Sequence, residues 1–473
     1  MADYSAKEIT AIVEEIVSKI NSSHSGATGD CGRHAAWGVF AAAAEAVDAA
    51  EQAQRRLTAL SLDLRKAVIQ SIRAKAMELS DELGRMELAE TGMGRLENKI
   101  FKIRETITKT PGVENITPET FSGGHGLTVV ENNPWGVCGC VLPSTAPAAT
   151  AIHNSIVMIA AGNSAVMCPH PNAGQTSLFT VEMINKAVTE AGGPANLITT
   201  FADTSQESTS FVMRHPSVQI ILVTGGPGIV QAAFQSGKRA ICAGPGNPPV
   251  LVDGTTDLAV SARQIFAGCS FENCINCIGE KEVFVVKQYA DELIRHLKAA
   301  GCYHLADAGA IAKLTALTTN GDGSVNKQYI GKDAAVILKG VGIEADERYK
   351  VISYEVPPDH ITVKEEYLMP LLPIVRVDSV EHGIACAVAA EGGRRHSAVI
   401  HSHNMDTVTK YANATRTTVL AVNGSSYNGV GMEGEGFVTM SIATATGEGL
   451  TCPRVFTRVL RRAFTGSLGQ YIL

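Results

Sequence analysis

The sequence is short of the features that mark nucleic-acid or membrane proteins. Its 40 Lys and Arg are outnumbered by 47 Asp and Glu, for a formal net charge of -7. No basic surplus is left over for a phosphate backbone. The one basic concentration, Arg454 to Arg462, reads as a solvated helix face. No apolar run approaches the roughly 20 residues that span a bilayer. The first residues lack the basic-then-apolar order of a secretory signal, so a cytosolic protein is expected, with neither membrane nor nucleic acid as a partner. There is no internal repeat, and proline is missing from residue 35 until Pro111. Cysteine is not scarce, but the 11 present are an odd number. Without an export signal they read as reduced thiols, not as a disulfide framework.

At 473 residues the chain suggests two or three domains. Residues 1 to 20 form a unit of their own. Ser5 followed by Glu8 is a capping box, and Tyr4 can staple onto Ile9. Ile9, Ile12, Val13, Ile16, Val17 and Ile20 fall on one helical stripe. A helix this short is marginal alone in water, and residues 21 to 34, rich in Ser, Gly and small polar residues, read as a flexible linker. The stripe is therefore either a docking peptide or a helix folded back on its own body.

Residues 35 to 110 read as several helices. From Leu127 to about residue 240, β-rich and helical segments alternate, which signals βαβ units and a largely parallel sheet. Val137 to Leu142 is a buried strand ending in Pro143-Ser-Thr-Ala-Pro147, followed by a helix over 148–161 and a strand over 164–167. Val218 to Val223 runs into Thr224-Gly-Gly-Pro-Gly228 and a helix over 229–236. Such a turn offers backbone N–H groups and a positive dipole end to a phosphate, or serves only as a tight connection, since it is not a GxGxxG motif. A second Gly/Pro cluster, residues 243–249, leads into the strand Val250 to Val252 and reads as a hinge. A second α/β unit follows to about residue 430.

The rest of the chain is organised around the loop Phe271-Glu-Asn-Cys-Ile-Asn-Cys-Ile-Gly-Glu280, which runs into the strand Glu282 to Val286. Cys269, Cys274 and Cys277 have the C-x4-C-x2-C spacing of a plant-type iron–sulfur ligand set. A fourth ligand would be needed, and Cys302 lies in a segment, 299–304, that reads as a helix end. Small buried thiols are the plainer reading, and it is favoured for Cys269. Cys277 reads as a nucleophile, because Gly279 lets a ligand approach closely. No His sits beside it in sequence, so activation must come from local dipoles or distant residues.

In their order, these motifs resemble the aldehyde dehydrogenase superfamily from about residue 35 onward. The order is Pro134-Trp-Gly136, the strand and turn through Pro143, Thr224-Gly-Gly226, the Gly/Pro hinge, Phe271-x5-Cys277, then Glu366-x-Leu368-x-Pro370. The resemblance implies an α/β fold with a Rossmann-like cofactor domain, an α/β catalytic domain and a small β oligomerisation element. In chain order these become an amphipathic helix (1–20), a linker (21–34) and an NAD-binding domain (35–242) carrying part of an oligomerisation hairpin near 111–130. A catalytic domain (243–430) and a C-terminal oligomerisation segment (431–473) follow.

Departures from hydrolytic members are informative. Where those carry a general-base Glu this chain has Cys242, where they carry an oxyanion-binding Asn it has Thr145, and where they carry a ribose-binding Lys it has Cys168. With Pro143-Ser-Thr, Pro169-His-Pro and Cys277-Ile-Gly-Glu-Lys-Glu282, the pattern is similar to CoA-acylating aldehyde dehydrogenases of bacterial microcompartments. It implies a Cys277 thioester, formed from propionaldehyde or, next, acetaldehyde with NAD and passed to coenzyme A. Backbone N–H groups and Thr145 would hold the oxyanion. Thr224, Gly225, Gly226 and Ile229 would line the pyrophosphate end of the cofactor site, Ala243 and Gly244 the nicotinamide end, and Leu142, Pro143, Ser144 and Leu368 its walls. Pro169 and His170 would flank the adenosine half, and Glu366 would bond the ribose unless it is an ordinary surface carboxylate. Residues 1–20 become an encapsulation peptide for a shell protein, in a homodimer or homotetramer inside a bacterial cytoplasmic microcompartment. A hydrolytic enzyme, an iron–sulfur carrier with metal at the cysteines, and a catalytically silent scaffold are the competing readings.

Overall fold

The computed structural model describes residues 37–466. The expected helix over 1–20, the linker over 21–34 and the last residues of the chain lie outside them. A two-residue strand β1 (Val39–Phe40) opens the described chain, and four helices follow, Ala43–Thr58, Leu62–Glu78, Ser80–Thr91 and Leu96–Lys109. The proline-poor sequence reads correctly here, apart from β1. The antiparallel pair β2 (Glu119–Gly123) and β3 (Gly126–Pro134) comes next, then β4 (Val137–Val141), β5 (Ser164–Cys168), β6 (Ile198–Phe201), β7 (Val218–Thr224) and β8 (Arg239–Ala243).

With β1, strands β4 to β8 form a six-stranded parallel sheet ordered β1-β6-β5-β4-β7-β8. Chain connections leave β4 toward β5 on one side and β7 toward β8 on the other. The switch point of a doubly wound sheet therefore falls between β4 and β7, and ligands bind outside the carboxyl ends of strands there. The helix Pro147–Ala161 that follows β4 is buried along its whole length. Pro147 is pre-set for its first turn, and Gly162, at φ 83°, closes it in the left-handed conformation.

The Gly/Pro stretch after β8 crosses to a second sheet, made of β9 (Pro249–Val252), β10 (Glu282–Val286), β11 (Cys302–Leu305), β12 (Val351–Glu355), β13 (Leu371–Val377), β14 (Ser397–His401) and β15 (Val419–Val422). Its order is β11-β12-β13-β10-β9-β14-β15, all parallel. The α/β class expected from sequence is what the chain adopts. One expectation about Cys302 needs correcting. The helix Lys287–Ala300 stops at Gly301, at φ 121°, and Cys302 begins strand β11.

A short pair, β16 (Ile442–Ala443) and β17 (Gly449–Leu450), precedes β18 (Thr457–Thr465). The basic run is not a helix face, as its composition suggested. Arg458, Arg461 and Arg462 lie on β18, which pairs antiparallel with β3 along its full length. The strand is largely exposed, and two of its arginines find partners on β3, Arg458 on the Pro134 carbonyl at 3.3 Å and Arg462 on Glu131 at 2.8 Å. Among the described residues, no helix is long and apolar enough to cross a membrane.

Candidate active site

A cavity of about 590 Å3 opens at the switch point. The carboxyl ends of β4, β5, β7 and β8 form one wall. The Cys277 loop, Glu366 and the segment from Tyr427 to Ile442 form the other. Cys277, Thr145 and every cofactor residue named from sequence line it. Its glycines suit a dinucleotide, because a Cβ added at Gly226 or Gly244 would meet no protein atom within 4 Å and would project into open space. The helix Pro227–Phe234 presents its N-terminus to the same wall, where backbone donors favour phosphate. Thr224 is tied across the cavity, its hydroxyl 2.7 Å from that of Ser441.

The nucleophile loop is built under strain. It leaves the helix Leu258–Ser270 and places Glu272, Asn273 and Cys274 at φ 48°, 54° and 58°. Outside glycine such conformations cost about 1–3 kcal/mol each and persist only where the surroundings over-determine them. Here the anchors are specific. Asn273 donates to the Gly331 carbonyl at 2.9 Å, and Asn98 accepts from the Glu272 N–H at 3.0 Å. The fully buried Glu272 carboxylate sits between Lys99, at 3.1 Å, and Lys102. Burial alone would raise its pKa, but the two ammonium groups overcome that and hold the carboxyl below its usual range.

Lys281 closes the loop from the other side. Its buried ammonium donates to the Cys274 carbonyl at 2.7 Å, the Asn276 carbonyl at 3.1 Å and the Cys274 sulfur at 3.3 Å. Burial disfavours its charge, yet the Cys274 sulfur and the Glu366 carboxyl keep its pKa raised. The Cys277 thiol is pushed up to about 12 by burial and the Glu366 carboxyl, with Lys281 pulling the other way. Burial likewise pushes Glu366 up to about 7, against Lys281 and a 3.4 Å bond from the Gly246 N–H. Glu366 is thus a half-buried cavity residue and not an ordinary surface carboxylate.

Cys269 and Cys274 share a buried core cluster with Cys302, while Cys277 faces the cavity. Among the described residues, no three His, Cys, Asp or Glu side chains are arranged to hold a metal ion. His170 lines the cavity, but its Nδ1 accepts the Asn172 N–H at 3.1 Å and caps the turn after β5.

Several residues of this site escaped the sequence reading. Lys102, Asn276 and Tyr427 line the cavity. His396 is buried, and desolvation depresses its pKa to about 4, so its imidazole is neutral. A Cβ at Gly246 would lie 2.5 Å from the Cys277 carbonyl and 2.8 Å from the His396 ring. One glycine therefore separates that ring from the nucleophile's backbone, and among the described residues His396 Nε2 has no partner. The only hint in sequence was Gly246 itself, whose missing side chain marks a close approach.

The sequence pattern of the aldehyde dehydrogenase family matches residues 17–441. The chain belongs to this family. Acetaldehyde dehydrogenase (acetylating) EutE of Salmonella typhimurium is 42% identical over 90% of this chain and 91% of its own. Rhodopseudomonas palustris propionaldehyde dehydrogenase, in a structure with bound CoA and an acylated cysteine, superposes with a TM-score of 0.89 at 42% identity. That match covers 91% of this chain and 98% of that one. Propionaldehyde dehydrogenase from the fucose utilisation microcompartment of Clostridium phytofermentans gives 0.90 at 43% identity, covering 92% and 100%.

Within this aldehyde dehydrogenase, Cys242 is the residue that the resemblance to hydrolytic members sets where those carry a base. It is fully buried among the apolar residues beside β7 and β8, and it is not part of the cavity wall. Cys168, which the resemblance sets where hydrolytic members carry a ribose-binding Lys, is buried as well.

Proposed function

We propose that the protein is a CoA-acylating aldehyde dehydrogenase that converts propionaldehyde, or acetaldehyde next, to the acyl-CoA with NAD and coenzyme A. One observation carries the reading. A single cavity joins Cys277 to a glycine-lined phosphate cradle, while the place of the water-activating base is held by a buried thiol. Cys277 attacks the carbonyl carbon as thiolate, and the backbone N–H groups around it, with Thr145, hold the oxyanion. NAD, which Gly225, Gly226, Gly244 and Glu366 would hold in this cavity, would supply the hydride acceptor, and loss of hydride from the adduct leaves a thioester on Cys277. Without a carboxylate at position 242 to activate water, the thioester persists until the coenzyme A thiol takes the acyl group.

The remaining assignments follow from this reading. Gly225, Gly226 and Ile229 hold the pyrophosphate, Ala243 and Gly244 face the nicotinamide, and Glu366 accepts from its ribose. β2 and β18, on either side of β3, carry exposed Phe121, Val459 and Phe464, a surface suited to a second copy in a homodimer or homotetramer. Residues 1–20 dock on a shell protein, which places the enzyme in a bacterial microcompartment.

The test is NADH formation from propionaldehyde with and without coenzyme A. The expected result is strict dependence on coenzyme A, with one propionyl-CoA formed per NADH. Steady NADH formation with free propionate as product would overturn the reading. A second expectation concerns pH. Glu366 ionises through about 7 and binds a ribose hydroxyl best as carboxylate, so the KM for NAD falls as pH rises from 6 to 8. Glu366→Gln flattens that profile and raises KM roughly 10-fold, the scale of one hydrogen bond to a charged group. Steady-state kinetics across that range measure both.

A further inference from the structure

Four charged side chains are buried together behind the nucleophile loop and take no part in the reaction as set out above. Glu87 pairs with Lys99 at 3.4 Å, Lys99 with Glu272 at 3.1 Å, and Glu272 with Lys102. None of the four side chains is more than 1% exposed. Burying ion pairs stabilises a fold little, because desolvation offsets the attraction. What this set does is join elements far apart in the chain. Glu87 also accepts the Ala148 N–H at 2.8 Å, at the start of the helix that follows Thr145. Glu272 accepts from Asn276, the residue before Cys277, at 3.4 Å, and Asn276 bonds Tyr427 at 3.0 Å. Lys102 spans the gap, since its ammonium donates both to Glu272 and, at 3.2 Å, to the Thr145 carbonyl.

We propose that Lys102 is a positioning residue that fixes both walls of the oxyanion pocket, the Thr145 turn and the Cys277 loop, through one buried ammonium group that borders the cavity. Glu272 is its counterweight, transmitting the hold to Asn276 and so to the nucleophile. The proposal rests on Cys277 being the nucleophile. Lys102 ties down the backbone that carries Thr145.

The single change Lys102→Met strands Glu272 with Lys99 alone and can unfold the protein. The test therefore uses the double variant Lys102→Met/Glu272→Gln, which removes one charge of each sign and leaves Lys99 with Glu87. Two rates are compared with wild type. One is the NADH burst from propionaldehyde and NAD, which passes through an oxyanion. The other is alkylation of Cys277 by iodoacetamide, followed on its own peptide, which needs the thiolate but no oxyanion. The expected result is a burst slowed on the order of 100-fold, the scale of a lost oxyanion contact, with alkylation within about twofold. Lys102→Arg, which keeps a cation, recovers part of the burst. A burst within about threefold of wild type overturns the proposal, as does alkylation that falls in step with the burst, which would mean that the loss lies in the thiolate itself and not in the placing of the two walls around the oxyanion. Cys277→Ala serves as control. If it still gives NADH, the nucleophile assignment itself fails, whatever Lys102 does.

Discussion

Cys277→Ala removes acyl-CoA formation, lowering turnover on the order of 10^4-fold or more, the scale at which loss of a covalent nucleophile registers. The fold should scarcely notice. Cys277 is half-buried at the cavity wall, and the loop is held by Glu272, Asn273 and Lys281 rather than by its thiol. Thermal unfolding and cofactor binding of the variant should match wild type while NADH production, with or without coenzyme A, vanishes. Residual turnover within 100-fold of wild type would move the thioester to another group.

Lys281→Met has the next largest effect, and it acts on stability and rate together. The ammonium makes three hydrogen bonds inside the loop. Without it, two carbonyls and the Cys274 sulfur lose their donor. Removing one partner from a buried charged network costs about 3–5 kcal/mol, and a loss of that order is expected in denaturant unfolding. Lys281 is also the cation that opposes the upward shift of the Cys277 thiol. Removing it raises that pKa further. At fixed pH the thiolate fraction falls, so Cys277 alkylation slows along with the NADH burst. The variant therefore differs in kind from the Lys102 pair, in which only the burst slows. A Lys281→Met protein with wild-type alkylation would show that the cation is structural only.

Much of the site was legible because its signals are local. A strand delivering Thr224-Gly-Gly226 to a helix, a Gly/Pro crossing after Ala243 and a Cys277 loop running into a β-branched strand each declare themselves within a few residues. The topology then brings their strand ends to one place. The residues that escaped depend on partners far away in sequence. Lys102 and Glu272 are 170 positions apart, and in a segment rich in Lys and Glu a buried lysine looks like any other on a solvated face. His396 enters the site only through its contact with Gly246. The basic run at the end of the chain was misread for a related reason. Arg458 to Arg462 lie on a strand because β3, more than 300 residues earlier, offers its edge, and β propensity follows such context more than composition.

The central claim is that the acyl group rests on Cys277 and waits for a thiol. Its most direct test mixes the enzyme with propionaldehyde and NAD, omits coenzyme A, and follows NADH while digesting the quenched protein for mass analysis. The account predicts one NADH per active site, then a halt, with a propionyl adduct on the Cys277 peptide that disappears when coenzyme A is added. Continued NADH formation with an unmodified Cys277 peptide would contradict it, because water would then be reaching a thioester that this site is built to keep.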